Sequence, residues 1–186
     1  MPESNKSLCK TMKGTGTMAR TTVKMAMILF FTALSLTIGM NAWAVQSNDA
    51  AALKGLKLGK GIFLLNVDSP QKAALYLNII IDTRKTMAAQ KVKPDFIVIF
   101  VGPTVRFLTT APDAELAGKQ QNALASIAAS VTELKKKGVR MEICEIATNF
   151  FKVPNDKLLP GPKLVGNGFT SLIGYQSNGY GLVPIF

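Results

Sequence analysis

Residues 93–103 read Lys-Pro-Asp-Phe-Ile-Val-Ile-Phe-Val-Gly-Pro, six consecutive apolar residues (96–101) between two turn-forming clusters. So short an apolar run with no polar alternation suits a strand buried on both faces. Strands of that kind belong to parallel sheets, where each neighbour is reached through a crossover of about a dozen residues or more. The flanking sequence should therefore alternate strand and helix, and it does. Upstream, Gly61–Val67 (GIFLLNV) is a second buried run, closed by Asp68-Ser69-Pro70. Ser69 can accept a hydrogen bond from an early helical N–H, and Pro70 suits the first helical position, where no N–H is needed. The helix that follows carries Ala73, Leu77, Ile80 and Ile81 on one face and ends near Met87–Gln90.

Downstream, Leu124, Ile127, Val131 and Leu134 step by three and four residues, which predicts a helix over 113–137. Asp113 and Glu115 put negative charge at its start. Lys135-Lys136-Lys137 put positive charge at its end, and Gly138 caps it. Residues 139–146 (VRMEICEI) alternate and predict a third strand. A short helical segment runs from Cys144 to about Val153, then a loop passes Pro154 and Leu158–Pro162. Lys163–Val165 predicts a fourth strand. Gly166-Asn167-Gly168 turns into a short helix holding Leu172, Ile173 and Tyr175, and residues 179–186 predict the last strand. The expected fold is α/β, a three-layer sandwich around a mostly parallel sheet of about five strands. No internal repeat, second domain or low-complexity linker interrupts it.

The amino-terminal segment reads as an address. Met25–Met40 contains no charge, Arg20 and Lys24 precede it, and Ala42-Trp43-Ala44 follows, the pattern of a secretory signal peptide over residues 1–44. Met18 is an alternative start. The alternative to cleavage after Ala44 is an uncleaved signal anchor, although sixteen residues fall short of the ~20 that a spanning helix needs. Either outcome predicts export, to the periplasm in a bacterium, with membrane contact only through such an anchor. Residues 45–60 are expected to form a flexible arm and residues 61–186 the domain. The cleaved chain would have 142 residues, 17 basic and 10 acidic, for a net charge of +7. Its basic residues are dispersed and the triple lysine has a capping role, so no nucleic-acid partner is expected.

Composition removes much chemistry. The chain has no histidine, so no Ser-His-Asp or Cys-His catalytic arrangement can form. Its two cysteines cannot make a four-cysteine metal or iron–sulfur site, and neither a metal nor a cofactor is expected. Cys9 would leave with the signal, so Cys144 stands alone, at the carboxyl end of a predicted strand, where open α/β sheets place their ligands. A helix starting beside it would favour thiolate, the species that attacks or accepts sulfane sulfur. Glu142 and Glu145 would oppose this if near, and the alternative is an inert buried thiol. Gly102-Pro103 and Gly166-Asn167-Gly168 follow strands and could line the same crevice through backbone N–H groups. Asn78 and Gln176 are polar residues among apolar neighbours, able to line a pocket or to satisfy buried backbone.

Residues 138–153 (GVRMEICEIATNFFKV) resemble the cysteine motif of the DsrE/DsrF-like sulfur-relay family. The ending LPGPKLVGNGFTSLIGYQSNGYGLVPIF resembles that family's turn, short helix, Gln-x-x-Gly-Tyr segment and final strand. Leu77-Asn78 and FIVIFVGPTVRFL are similar to earlier parts of it. The resemblance implies a flavodoxin-like sandwich that assembles into trimers or hexamers. It further implies a cysteine at the position of Cys144 carrying a persulfide between donor and acceptor proteins, as in TusD-like subunits. Two functions remain open: a sulfur carrier or sulfurtransferase acting through Cys144, or a non-catalytic ligand-binding or assembly module in which that cysteine is structural.

Overall fold

All but Val101 of the apolar run lies in strand β2 (Lys93–Phe100), the middle strand of a five-stranded sheet. The computed structural model describes residues 48–186, so the expected export signal and the first residues of the arm lie outside the described residues. On one side β2 pairs with β1 (Leu58–Leu65), and β1 with β5 (Gly181–Ile185). On the other side β2 pairs with β3 (Arg140–Cys144), and β3 with β4 (Lys163–Val165). Every pairing is parallel, in the order β4-β3-β2-β1-β5. All five residues Phe96–Phe100 are buried, as a strand covered on both faces requires.

The helices are α1 (Pro70–Ala89), α2 (Ala114–Lys119), α3 (Gln121–Lys136), α4 (Glu145–Phe150) and α5 (Gly168–Ser177). Ser69 Oγ accepts from Lys72 N at 3.3 Å and Pro70 is the first helical residue, so α1 starts where its cap dictates. The chain steps β1, β2, β3, β4 in one direction across the sheet. Because parallel crossovers are right-handed, their helices collect on one face, where α1 packs on α3. The return from β4 to β5 reverses direction and lays α5 on the opposite face, against β2 and β3. The result is a three-layer α/β fold consistent with the flavodoxin-like class. The expected stripes Ala73, Leu77, Ile80, Ile81 and Ile127, Val131, Leu134 are buried between layers, while Leu124 is only half-buried.

Several boundaries differ from the sequence expectation, among them the start of β2 at Lys93, inside the expected break, and the end of α4 at Phe150. Strand β1 begins at Leu58, so the last residues of the expected arm join the sheet, where Leu58, Gly59 and Lys60 are in register with Lys93, Pro94 and Asp95. Pro94 is tolerated because it sits near the strand's start. The expected single helix over 113–137 is two, α2 and α3, separated at Gln120 (φ −126°, ψ 17°). Gly118 weakens the helix just before that break. Strand β3 ends at Cys144 because Glu145 opens α4, and the last strand is confined to Gly181–Ile185. Gly138, at φ +73°, terminates α3 as expected.

Candidate functional site

Parallel register decides which β3 side chains share a face. Leu64 is in register with Ile99, Ile99 with Glu142, and Glu142 with Lys163. Ile99 Cγ2 and Cys144 Cβ both border Gly168 of α5. With side chains alternating along a strand, Arg140, Glu142 and Cys144 therefore face α5, while Met141 and Ile143 face the α3 layer.

Cys144 sits at the carboxyl end of β3 and is the residue immediately before α4. It is 6% exposed, and its Sγ accepts a hydrogen bond from Gly168 N at 3.3 Å. Two helices thus begin at this sulfur. Asn167 caps α5, its Oδ1 accepting from Phe169 N at 2.9 Å. A Cβ at Gly168 would lie 3.0 Å from Val101 Cγ1, 3.2 Å from Cys144 Cβ and 3.3 Å from Ile99 Cγ2. The amide reaches the sulfur because the residue carrying it has no side chain. An N–H in that position can bond a thiolate or the inner sulfur of a persulfide. Near this contact Ile146 and Phe169 are exposed on the first turns of α4 and α5.

Two residues below Cys144, Glu142 is 8% exposed. Tyr175 OH donates to its Oε1 at 2.6 Å, and its Oε2 is buried with no hydrogen-bond partner among the described residues. This bond to a carboxylate, aided by burial, pushes the Tyr175 phenol above its ordinary value, the Arg140 charge only partly opposing it. The polar ladder continues toward the amino ends of the strands. The Arg140 guanidinium lies 5.4 Å from the Tyr175 ring and 5.2 Å from the Tyr180 ring. It donates to Asp95 Oδ1 at 3.0 Å and to Tyr180 OH. Tyr180 OH donates to Asp95 Oδ2 at 2.6 Å, and Lys60 Nζ stands 5.2 Å from the Tyr180 ring. Burial disfavours charge on Asp95, yet the bonds from Tyr180 and Arg140 with the charges of Arg140 and Lys60 outweigh it, so its carboxyl is held below the ordinary carboxylate range. Among the described residues no group of three or more His, Cys, Asp or Glu is placed to hold a metal ion, and no helix is long and apolar enough to cross a membrane.

A sequence model of the DsrE/DsrF-like family matches residues 59–184. The chain belongs to that family. No curated protein matches it. Among solved structures, a protein of unknown function from Methanobacterium thermoautotrophicum superposes with a TM-score of 0.53 at 17% identity, covering 68% of this chain and 98% of that one. The ychN protein from E. coli gives a TM-score of 0.49 at 17% identity, covering 69% and 99%. A likeness at this identity speaks for the fold alone.

Within this DsrE/DsrF-like chain, the residues expected to share a crevice separate into two groups. Gly168 touches Cys144, and Gly166 and Asn167 form the turn that delivers it. Gly102 and Pro103 follow Val101, whose side chain borders Gly168. Gly102 is at φ +55°, and a Cβ there would collide with Asn66 Oδ1, so its glycine is explained by backbone and packing. Asn78 lies elsewhere: its Oδ1 accepts from Ser130 Oγ at 3.2 Å, joining α1 to α3 on the opposite face of the sheet. Gln176 is exposed two turns from the end of α5 that meets the sulfur. The sequence reading missed the Glu142–Tyr175 pair. Its signal was the spacing Arg140-x-Glu142-x-Cys144, three polar or reactive residues on one face of a strand expected to be covered on both.

Proposed function

We propose that the protein is an exported sulfur carrier of the DsrE/DsrF-like family, with Cys144 as the residue that holds sulfane sulfur. The observation that carries this reading is the hydrogen bond from Gly168 N to Cys144 Sγ at 3.3 Å, which gives the chain's one cysteine beyond the expected signal a donor for negative sulfur. The chemistry needs no histidine and no cofactor. The Cys144 thiolate attacks the outer sulfur of a donor persulfide, R–S–SH; the donor S–S bond breaks, Cys144–S–SH forms, and the donor leaves as thiolate. An acceptor thiolate then attacks the same outer sulfur, and Cys144 departs as thiolate. Electrons balance without an external oxidant. Exposed Ile146 and Phe169 beside the sulfur support donor and acceptor partners that are proteins. Assembly into trimers or hexamers and a periplasmic location, as in an exported relative of TusD-like subunits, complete the proposal.

Intact-mass analysis after treatment with inorganic polysulfide tests it. The wild type is expected to gain sulfur, and Cys144→Ser to fold, keep its oligomer size and gain none. Sulfur gained by the serine variant would overturn the assignment. A second reading, a ligand-binding module with a structural cysteine, is favoured by the burial of Cys144 and by a mostly apolar groove of ≈ 580 Å³ lined by Leu58, Phe63, Met87, Phe96, Leu182 and Val183, near the opposite end of the sheet. A serine variant that failed to fold would favour that reading.

A further inference from the structure

A carrier must expose its sulfur twice per cycle, yet Cys144 is 6% exposed and lies beneath the first residue of α5. That helix is thinly attached. Of its ten residues only Gly168 is buried; Leu172 and Tyr175 are half-buried, and Phe169 and Ile173 are 59% and 67% exposed. Its amino end is held by the Gly168 amide on the sulfur and by contact with Ile99 and Val101. Its carboxyl half is held by the Tyr175 hydroxyl on Glu142, by the Tyr175 ring against Tyr180 and Arg140, and by an exposed bond from Lys60 Nζ to Asn178 O at its end, so the one tether to a buried group is the Tyr175 hydroxyl. That second tether carries its own cost, because Glu142 is buried with one oxygen unpartnered. A buried polar atom without a partner is expensive, and the expense disappears once water reaches it. Elements with few buried apolar contacts open at free energies well below global unfolding.

We propose that α5 is a lid over Cys144, opening as a unit from β3, with the Glu142–Tyr175 bond setting how often the sulfur is uncovered. When the lid lifts, Glu142 gains water on both oxygens, which offsets the broken Tyr175 bond and lowers the cost of opening. Of the other charged groups facing this side of the sheet, Lys60, Arg140 and Lys163 are exposed enough to stay hydrated in both states, and half-buried Asp95 keeps its bonds from Arg140 and Tyr180. The inference deepens the sulfur-carrier reading and rests on it only in making Cys144 the atom that must be reached.

The test is the rate at which a neutral disulfide reagent, dithiodipyridine, labels Cys144 across a series of sub-denaturing urea concentrations. Global unfolding is followed in parallel by far-ultraviolet circular dichroism. For a lid, labelling of the wild type depends on urea much less steeply than global unfolding does. Tyr175→Phe is expected to label about tenfold faster or more, since a hydrogen bond to a charged group is lost from the closed state alone. Labelling whose urea dependence equals that of global unfolding, or a Tyr175→Phe rate equal to the wild type, would overturn the lid. Labelling reports opening whether or not sulfur is ever carried, whereas sulfur gain by mass reports the carrier whether or not α5 moves, so the two readings fail separately.

Discussion

Gly168 has room for a hydrogen and little more. Its backbone needs no unusual torsion; the requirement is steric, set by Val101, Cys144 and Ile99 at 3.0–3.3 Å from where a Cβ would stand. Gly168→Ala must push α5 away from β3 or displace those side chains. Overpacking of this kind costs roughly 1–3 kcal/mol. Urea denaturation is expected to show a loss of that size, together with faster labelling of Cys144 because the amide no longer seats on the sulfur. Unchanged stability and labelling would mean that the helix is not pressed onto the cysteine. The sequence placed the Gly-Asn-Gly turn and the lone thiol at one crevice, but it did not say which amide meets the sulfur, a contact between residues 24 positions apart. Glu142 was harder to read. A glutamate in an alternating strand looks solvated until the helix that covers it is known.

Each strand and helix followed from apolar period and punctuation, and the errors lie where local signals were weak. Leu58–Lys60 look like arm because glycines and lysines dominate there, and only pairing with β2 makes them strand. The break at Gln120 has no proline to announce it. At this scale the polar ladder adds to the hydrophobic core, joining Lys60 of β1, Asp95 of β2, Arg140 of β3 and Tyr180 just before β5. Its titration can be tested. The folded-state pKa of Asp95 lies below its unfolded value, so its contribution to stability is present above the unfolded value and is lost as pH falls through the folded one. Asp95→Asn should therefore lower stability at neutral pH and flatten its fall on the acid side. The phenols of Tyr175 and Tyr180 are shifted upward, Tyr175 chiefly by its bond to Glu142 and Tyr180 by burial and its bond to Asp95. The stability linked to these shifts is present below the ordinary phenol range and is lost as pH rises through the raised folded values. Parallel acid limbs for Asp95→Asn and wild type in pH-dependent urea unfolding would show that the ladder contributes nothing.

Over the whole molecule, one reversal of direction between β4 and β5 produces both the fold and the site. It sends α5 alone across the face that carries Glu142 and Cys144, while α1 and α3 pack on the other. The parallel sheet was legible from two short apolar runs and the alternating stretch 139–146. The order of its strands was not, because no local signal says that the last strand returns beside the first. The sulfur that this arrangement covers is the atom on which the carrier reading depends. That reading's most direct test is intact-mass and peptide analysis of the protein isolated, without reducing agent, from the compartment in which it works. One added sulfur atom is expected on the peptide containing Cys144, removable by a thiol reductant. A peptide carrying only the free thiol before and after treatment with inorganic polysulfide would contradict it.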